Sequence, residues 1–182
     1  MSGSAKYELI GTGQAELLRI RALRDIPEVG VRAGDLGGWV ESEKNLSQRG
    51  ACWVFGDGRV SGNGRVSGNG QVSGNGQVSG NGRVSGNGQV SGNGRVSQPR
   101  HILTASPLAT ANCDANLFRT IDGHTLRVGC WSGTVREFRK LIRSAHWPEA
   151  RTGKERALHR PELNAFADLC EARIATWDWE DC

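Results

Sequence analysis

Between positions 54 and 96 an apolar residue recurs at every sixth position and almost nowhere else. Valine stands at 54, 60, 66, 72, 78, 84, 90 and 96 without a slip, in units that read RVSGNG or QVSGNG. In extended chain alternate residues face the same way, so one face of each unit collects Val and two Gly. The other face collects Arg or Gln, Ser and Asn. A flat strand of that composition has almost nothing to bury, whereas a closed coil needs only one Val per unit around a narrow axis. Glycines beside each Val let the walls approach. The spacing predicts a short, three-sided parallel β-helix, one unit per side and three units per turn, with coils about 4.8 Å apart. Left-handed winding is the usual outcome for hexapeptide units. Asn-Gly at each corner is expected to supply the positive φ of a sharp bend.

Three other readings of the repeat fit less well. Flexible Gly/Ser linkers keep no valine in phase. Four residues between successive Asn-Gly pairs are too few for ordinary hairpin strands. Ice-binding solenoids want a flat Thr-rich face, and the repeat has no Thr. Grouped in threes, the outer stripe divides into Trp53, Gln71 and Gln89, then Arg59, Gln77 and Arg95, then Arg65 with Arg83. No perfect unit carries His, Asp or Glu.

The period changes on both flanks. Leu18, Ile20 and Ala22 alternate with Arg19 and Arg21, as in a half-buried strand. Val40 and Leu46 are already six apart and Val54 follows eight later, which predicts an irregular first coil with two extra residues around Gln48 to Gly50. Downstream, Gln98-Pro99 ends the repeat because Pro lacks the N–H that a stacked strand donates. HILTASPL reads as strand and turn, and Leu117–Thr120 with Thr125–Cys130 form a hairpin about Asp122-Gly123. Thr134 and Glu137 have capping-box spacing at a helix start, followed by Val135, Phe138, Leu141, Ile142 and Ala145 on one face. Pro161 is expected to open a second helix with Leu163, Phe166, Ala167, Cys170 and Ile174 inward. The expected organisation is an N-terminal β cap (residues 1–39), the β-helix (40–97) and a small α+β module (98–182). The fold class is mainly β.

Composition narrows the function. The chain has 26 Gly and only 37% apolar residues, so conventional cores must lie in the flanks. Five scattered Cys and an N-terminus without signal-peptide character fit reduced thiols in the cytosol. No run of apolar residues is long enough for a membrane span. A net charge of +4 permits an acidic partner without demanding one.

Candidate chemistry is sparse. Arg136, Arg139, Lys140 and Arg143 share the helix face opposite the apolar stripe, and residues 132–160 hold eight Lys/Arg against three Asp/Glu. Such a face can meet an acidic protein or a phosphate backbone, although most are simply solvated. The four His (101, 124, 146, 159) all follow the last coil, whereas a hexapeptide acyltransferase places its base within one. Cys130 before a helix reads as a buried small residue, since no paired base accompanies it. No metal or cofactor site emerges. The expected contact residues are Trp53, Arg65 and Arg83 on the coil and Arg136, Arg139, Lys140 and Arg143 on the helix.

RIRALRD, GDLGGWVESEKNLS and CWVFGDGRVSGNG resemble the start of a group of phage and prophage proteins built from hexapeptide-like repeats. HILT…P, FRTIDG and GCWSGTVREF resemble their closing module, so the resemblance spans both flanks and most of the chain. It supplies context rather than chemistry. It implies a cytoplasmic, non-enzymatic protein that binds a host protein, for instance to inhibit a bacterial defence complex. An acyltransferase and a nucleic-acid-binding accessory protein are the alternatives. Stacked coils and exposed tryptophans favour a homo-oligomer.

Overall fold

The computed structural model describes residues 5–11, 16–108, 113–144 and 153–177. Eight two-residue strands, β4 (Trp53–Val54) to β11 (Arg95–Val96), follow the valines one for one. Every one of these valines is at most 1% exposed. Each strand pairs in parallel with the strand three units on, so Trp53, Gln71 and Gln89 stack, as do Arg59, Gln77 and Arg95, and Arg65 with Arg83. Backbone bonds join successive coils: Arg59 N donates to Gly76 O at 2.9 Å and Ser61 N to Val78 O at 2.9 Å. The result is a parallel β-solenoid of about 3 turns.

The corners differ from expectation in which glycine bends the chain. Left-handed φ values of 50 to 64° belong to the glycine before each Asn, from Gly62 to Gly92. The glycine after Asn has ordinary φ and donates back to the Ser three places earlier, as Gly64 N does to Ser61 O at 3.0 Å. Its requirement is space. A Cβ on Gly82 would lie 2.2 Å from the Val96 carbonyl oxygen of the next coil.

Upstream, β1 (Tyr7–Ile10), β2 (Leu18–Ala22) and β3 (Leu36–Val40) form an antiparallel meander, and β3 then pairs in parallel with β5 (Arg59–Val60). Cap and coil therefore share one six-stranded sheet and one core. Val40 pairs with Val60 and Leu46 with Val66, each offset two residues further than the later rungs. From Trp53 the regular offset holds. The two extra residues thus lie between Leu46 and Trp53, as the valine phase predicted. Asn45, fully buried, closes the irregular coil: its Nδ2 donates to Gly62 O at 3.0 Å and Gly64 O at 2.9 Å.

Downstream, β12 (Ile102–Ala105), β13 (Ala115–Thr120), β14 (Gly123–Val128) and β15 (Trp131–Gly133) make a second antiparallel sheet. Helix α1 (Val135–Arg143) starts at the predicted capping box, with Glu137 N donating to Thr134 Oγ1 at 3.2 Å and Thr134 N to Glu137 Oε2 at 2.7 Å. Val135, Phe138 and Ile142 are buried and Leu141 is half-buried, while Ala145 lies outside the described residues. Helix α2 (Gly153–Ile174) begins before Pro161, which sits inside it rather than opening it. Pro161 is exposed, so the helix loses one backbone bond there without burying an unpaired group. Leu163, Phe166, Ala167 and Cys170 face the core as expected.

The second sheet docks on the last coil. Gln89 N donates to the buried Asn116 Oδ1 at 2.9 Å, Thr120 bridges Gly94, and Ile102 and Phe118 join the coil's own core. Behind it, His124 supports α1: its Nε2 accepts the Val135 N–H at 3.1 Å. Burial holds the His124 pKa below the ordinary value of about 6.5. The unfolded chain therefore takes up this proton first as pH falls. Stability from this group is full above about pH 6.5 and declines as pH drops toward the folded-state value. The melting temperature should fall between about pH 7.5 and 5.5, and fall less steeply in His124→Gln. Equal slopes in the two proteins would count against this role.

Candidate functional site

Arg65 and Arg83 occupy matching positions on β6 (Arg65–Val66) and β9 (Arg83–Val84), neighbours in a two-stranded parallel ladder. Their valines are at most 1% exposed, while both arginines are exposed. The alternation of a two-residue strand fixes this: one side chain enters the axis and the other must leave it. Neighbouring strands lie about 4.8 Å apart, so two guanidinium groups rise side by side. Like charges directly opposite each other in a sheet are destabilising. Among the described residues neither arginine has an ion-pair partner.

Several other arginines are engaged. Arg19 lies over the Trp39 ring at 5.3 Å, Arg21 pairs with Glu8, and Arg95 Nη1 donates to Asn75 O at 2.9 Å.

Clefts flank the arginine ladder. One of about 670 Å³ is lined by Arg83, Ser85, Asn87, Pro99 and Thr104. Another of about 500 Å³ holds Lys44, Ser47, Arg65, Ser67 and Arg83. A third, about 280 Å³, is bounded by Asn63, Arg65, Asn81, Arg83 and Pro99. Arg83 lines all three. One-turn helices stand at the two ends, Glu43–Asn45 and Pro99–His101. The polar part of the lining is hydroxyl, amide, guanidinium and the Lys44 ammonium, Leu46, Val66, Pro99 and Ile102 supply apolar surface, and Glu43 is the one carboxylate. That set can hold carboxylates or phosphates through charge-assisted hydrogen bonds. Among these lining residues there is no His or Cys to act as base or nucleophile.

Three expected features take other roles. Trp53 is 1% exposed and packs edge-on against Tyr7, ring centroids 6.4 Å apart, because the N-terminal cap covers the first strand of its ladder. It is a core residue, not a contact residue. Arg139 is held between the helices, its Nε 2.7 Å from Glu171 Oε1 and its Nη2 2.5 Å from Asp168 Oδ1, which raises its pKa and lowers that of Glu171. Arg136, Lys140 and Arg143 stay exposed, so the basic face is narrower than the sequence suggested. Cys130 is exposed, since it lies in the tight turn between β14 and β15.

Trp39 and Trp131 are half-buried and Trp177 is buried, while Trp147 and Trp179 lie outside the described residues. The described tryptophans thus lend no support to self-association.

His101 and His159 belong to the C-terminal half with His124, and His146 lies outside the described residues. The buried polar side chains Lys6, Asn45 and Asn116 were not singled out from the sequence, and His101 was named there only as one of four scattered histidines. Only Asn45 had a local signal, the Ser42-x-x-Asn45 cap in which Ser42 N donates to Asn45 Oδ1 at 2.8 Å. Among the described residues no helix is long and apolar enough to cross a membrane, and no group of three or more His, Cys, Asp or Glu converges. No protein-family model matches the chain, and no curated protein matches it.

Proposed function

We propose that this is a non-enzymatic interaction protein, a three-sided, left-handed β-helix whose Arg65–Arg83 ladder receives an acidic segment of a host protein. The observation that carries the reading is the pair of adjacent, unneutralised guanidinium groups in a cleft lined by hydroxyls and amides. A carboxylate between them relieves their repulsion and gains bidentate hydrogen bonds. Pairing at every third unit supports three sides, and left-handedness rests on the habit of hexapeptide units. The resemblance of both flanks to phage and prophage repeat proteins supports a bacterial cytoplasmic partner, for which inhibition of a defence complex is the role in view.

The test is affinity capture of the tagged chain from bacterial cells, followed by titration of the captured protein against variants. Arg65→Glu/Arg83→Glu should weaken binding at least about tenfold, and added salt should weaken the native complex. Arg136→Glu/Arg143→Glu should leave it unchanged. A partner held equally well by the ladder variant would remove the groove from the function.

A further inference from the structure

Lys6 is 0% exposed, and among the described residues no carboxylate lies against it. Its ammonium nitrogen sits 2.8 Å from Cys52 O, 3.4 Å from Gly50 O and 3.1 Å from Cys52 Sγ. Cys52 is also 0% exposed, with Sγ 3.4 Å from Ser47 O and 3.6 Å from Arg49 O. The two carbonyls that Lys6 meets belong to the irregular segment with the two extra residues. Capping those carbonyls accounts for a buried donor. The third ammonium donor is directed at the Cys52 sulfur, which leaves nitrogen and sulfur in direct contact, and a buried amine without a counter-carboxylate is costly to keep.

Burial lowers the Lys6 pKa from its ordinary value, which brings the neutral, nucleophilic amine within easier reach. The residues come from different parts of the fold. Lys6 immediately precedes β1, the edge strand of the six-stranded sheet, and Cys52 lies on the first coil just before β4.

We propose that Lys6 and Cys52 form an oxidation-dependent covalent link between Nζ and Sγ that ties the N-terminal strand to the coil. The oxidant is hydrogen peroxide. In the first step the Cys52 sulfur attacks one peroxide oxygen: an S–O bond forms, the O–O bond breaks, and water leaves. Sulfur is oxidised by two electrons to the sulfenic acid and the peroxide is reduced. In the second step the neutral Lys6 amine attacks that sulfur. An N–S bond forms, the S–O bond breaks, and hydroxide departs with an amine proton as water. No further electrons move. Fraying of edge strand β1 admits the small oxidant to an otherwise closed site. A small thiol reverses the link by attacking sulfur and releasing the amine.

The experiment treats the folded full chain with hydrogen peroxide, alkylates remaining thiols after denaturation, digests with trypsin and reads the peptides by mass spectrometry. The expected product joins the peptide containing Lys6 to the one containing Cys52, lighter than their sum by two hydrogens, uncleaved after Lys6, and separated by dithiothreitol. Chain oxidised in urea should give none, because the contact exists only when folded. The oxidised protein should also melt roughly 10 °C higher, as expected for closing a loop of this length. Lys6→Arg and Cys52→Ala should each abolish both effects. The product in the native chain is diagnostic even if a variant folds poorly. Normal cleavage after Lys6, with Cys52 either alkylated or carried on to the sulfinic acid, overturns the proposal.

Discussion

Gly82→Ala should destabilise the protein by about 3 kcal/mol or more, whereas Gly86→Ala, four residues away, should cost about 1 kcal/mol. At Gly82 an added Cβ meets Val96 O at 2.2 Å, Val96 C at 2.9 Å and Ser79 O at 3.0 Å. All three are backbone atoms, so no side chain can swing aside. The coils would have to part, and the Ser79 N to Val96 O bond of 2.9 Å would be strained with them. At Gly86 nothing lies within 4 Å, and the cost is only that of holding alanine at a φ of 57°. Urea unfolding of the two variants checks this. Equal midpoints would mean that coil spacing is not set by these glycines.

Removing six residues should disturb the alignment of the two flanks more than removing eighteen. The N-terminal cap is held by the first coil, through Gly62 N donating to Glu41 Oε2 at 2.6 Å and Asn45 Nδ2 donating to Gly62 O and Gly64 O. The C-terminal module is held by another, through Asn116 to Gln89 N and Thr120 to Gly94. Because the units are nearly identical, either deletion leaves each cap a unit to sit on. What changes is the angle. Deleting residues 71–76 should turn one flank about a third of a turn relative to the other, so that the Glu43–Asn45 and Pro99–His101 turns no longer stand over one ladder. Deleting residues 71–88 should keep them aligned and bring them closer by one strand spacing, about 4.8 Å. Spin labels at exposed Arg32 and Arg136 report the geometry. Partner binding should be lost in both, because the shorter deletion moves Arg83 off the side that carries Arg65 and the longer one removes Arg83 with Ser85 and Asn87, so the label distance separates the two. Identical label distances in the two deletions would refute the three-unit coil.

Much of this architecture is legible because a coil imposes its period on the chain. Val54 to Val96 keep their spacing since each unit can place only one side chain on the axis. The two-residue slip between Leu46 and Trp53 could be counted from the same ladder, and the Thr134–Glu137 box marked a helix start by local chemistry. The misreadings share a different character. Trp53 occupies a polar-stripe position, yet Tyr7 packs against it from more than forty residues away. Arg139 belongs to a basic helical face until Asp168 and Glu171 claim it.

The feature most visible in the chain, a valine at every sixth residue, was thus sufficient by itself to determine the period, the grouping of rungs and the place of the insertion. These are local consequences of alternation and turn spacing, repeated until the pattern is unambiguous. Only the tertiary structure decided which stripe residues stay in solvent, which glycine bends the corner and which closes the gap between coils. It alone placed Lys6 against Cys52 and left Arg65 and Arg83 side by side without an ion-paired carboxylate. Burial and charge pairing depend on what lies opposite, and identical units cannot encode which flank will cover them.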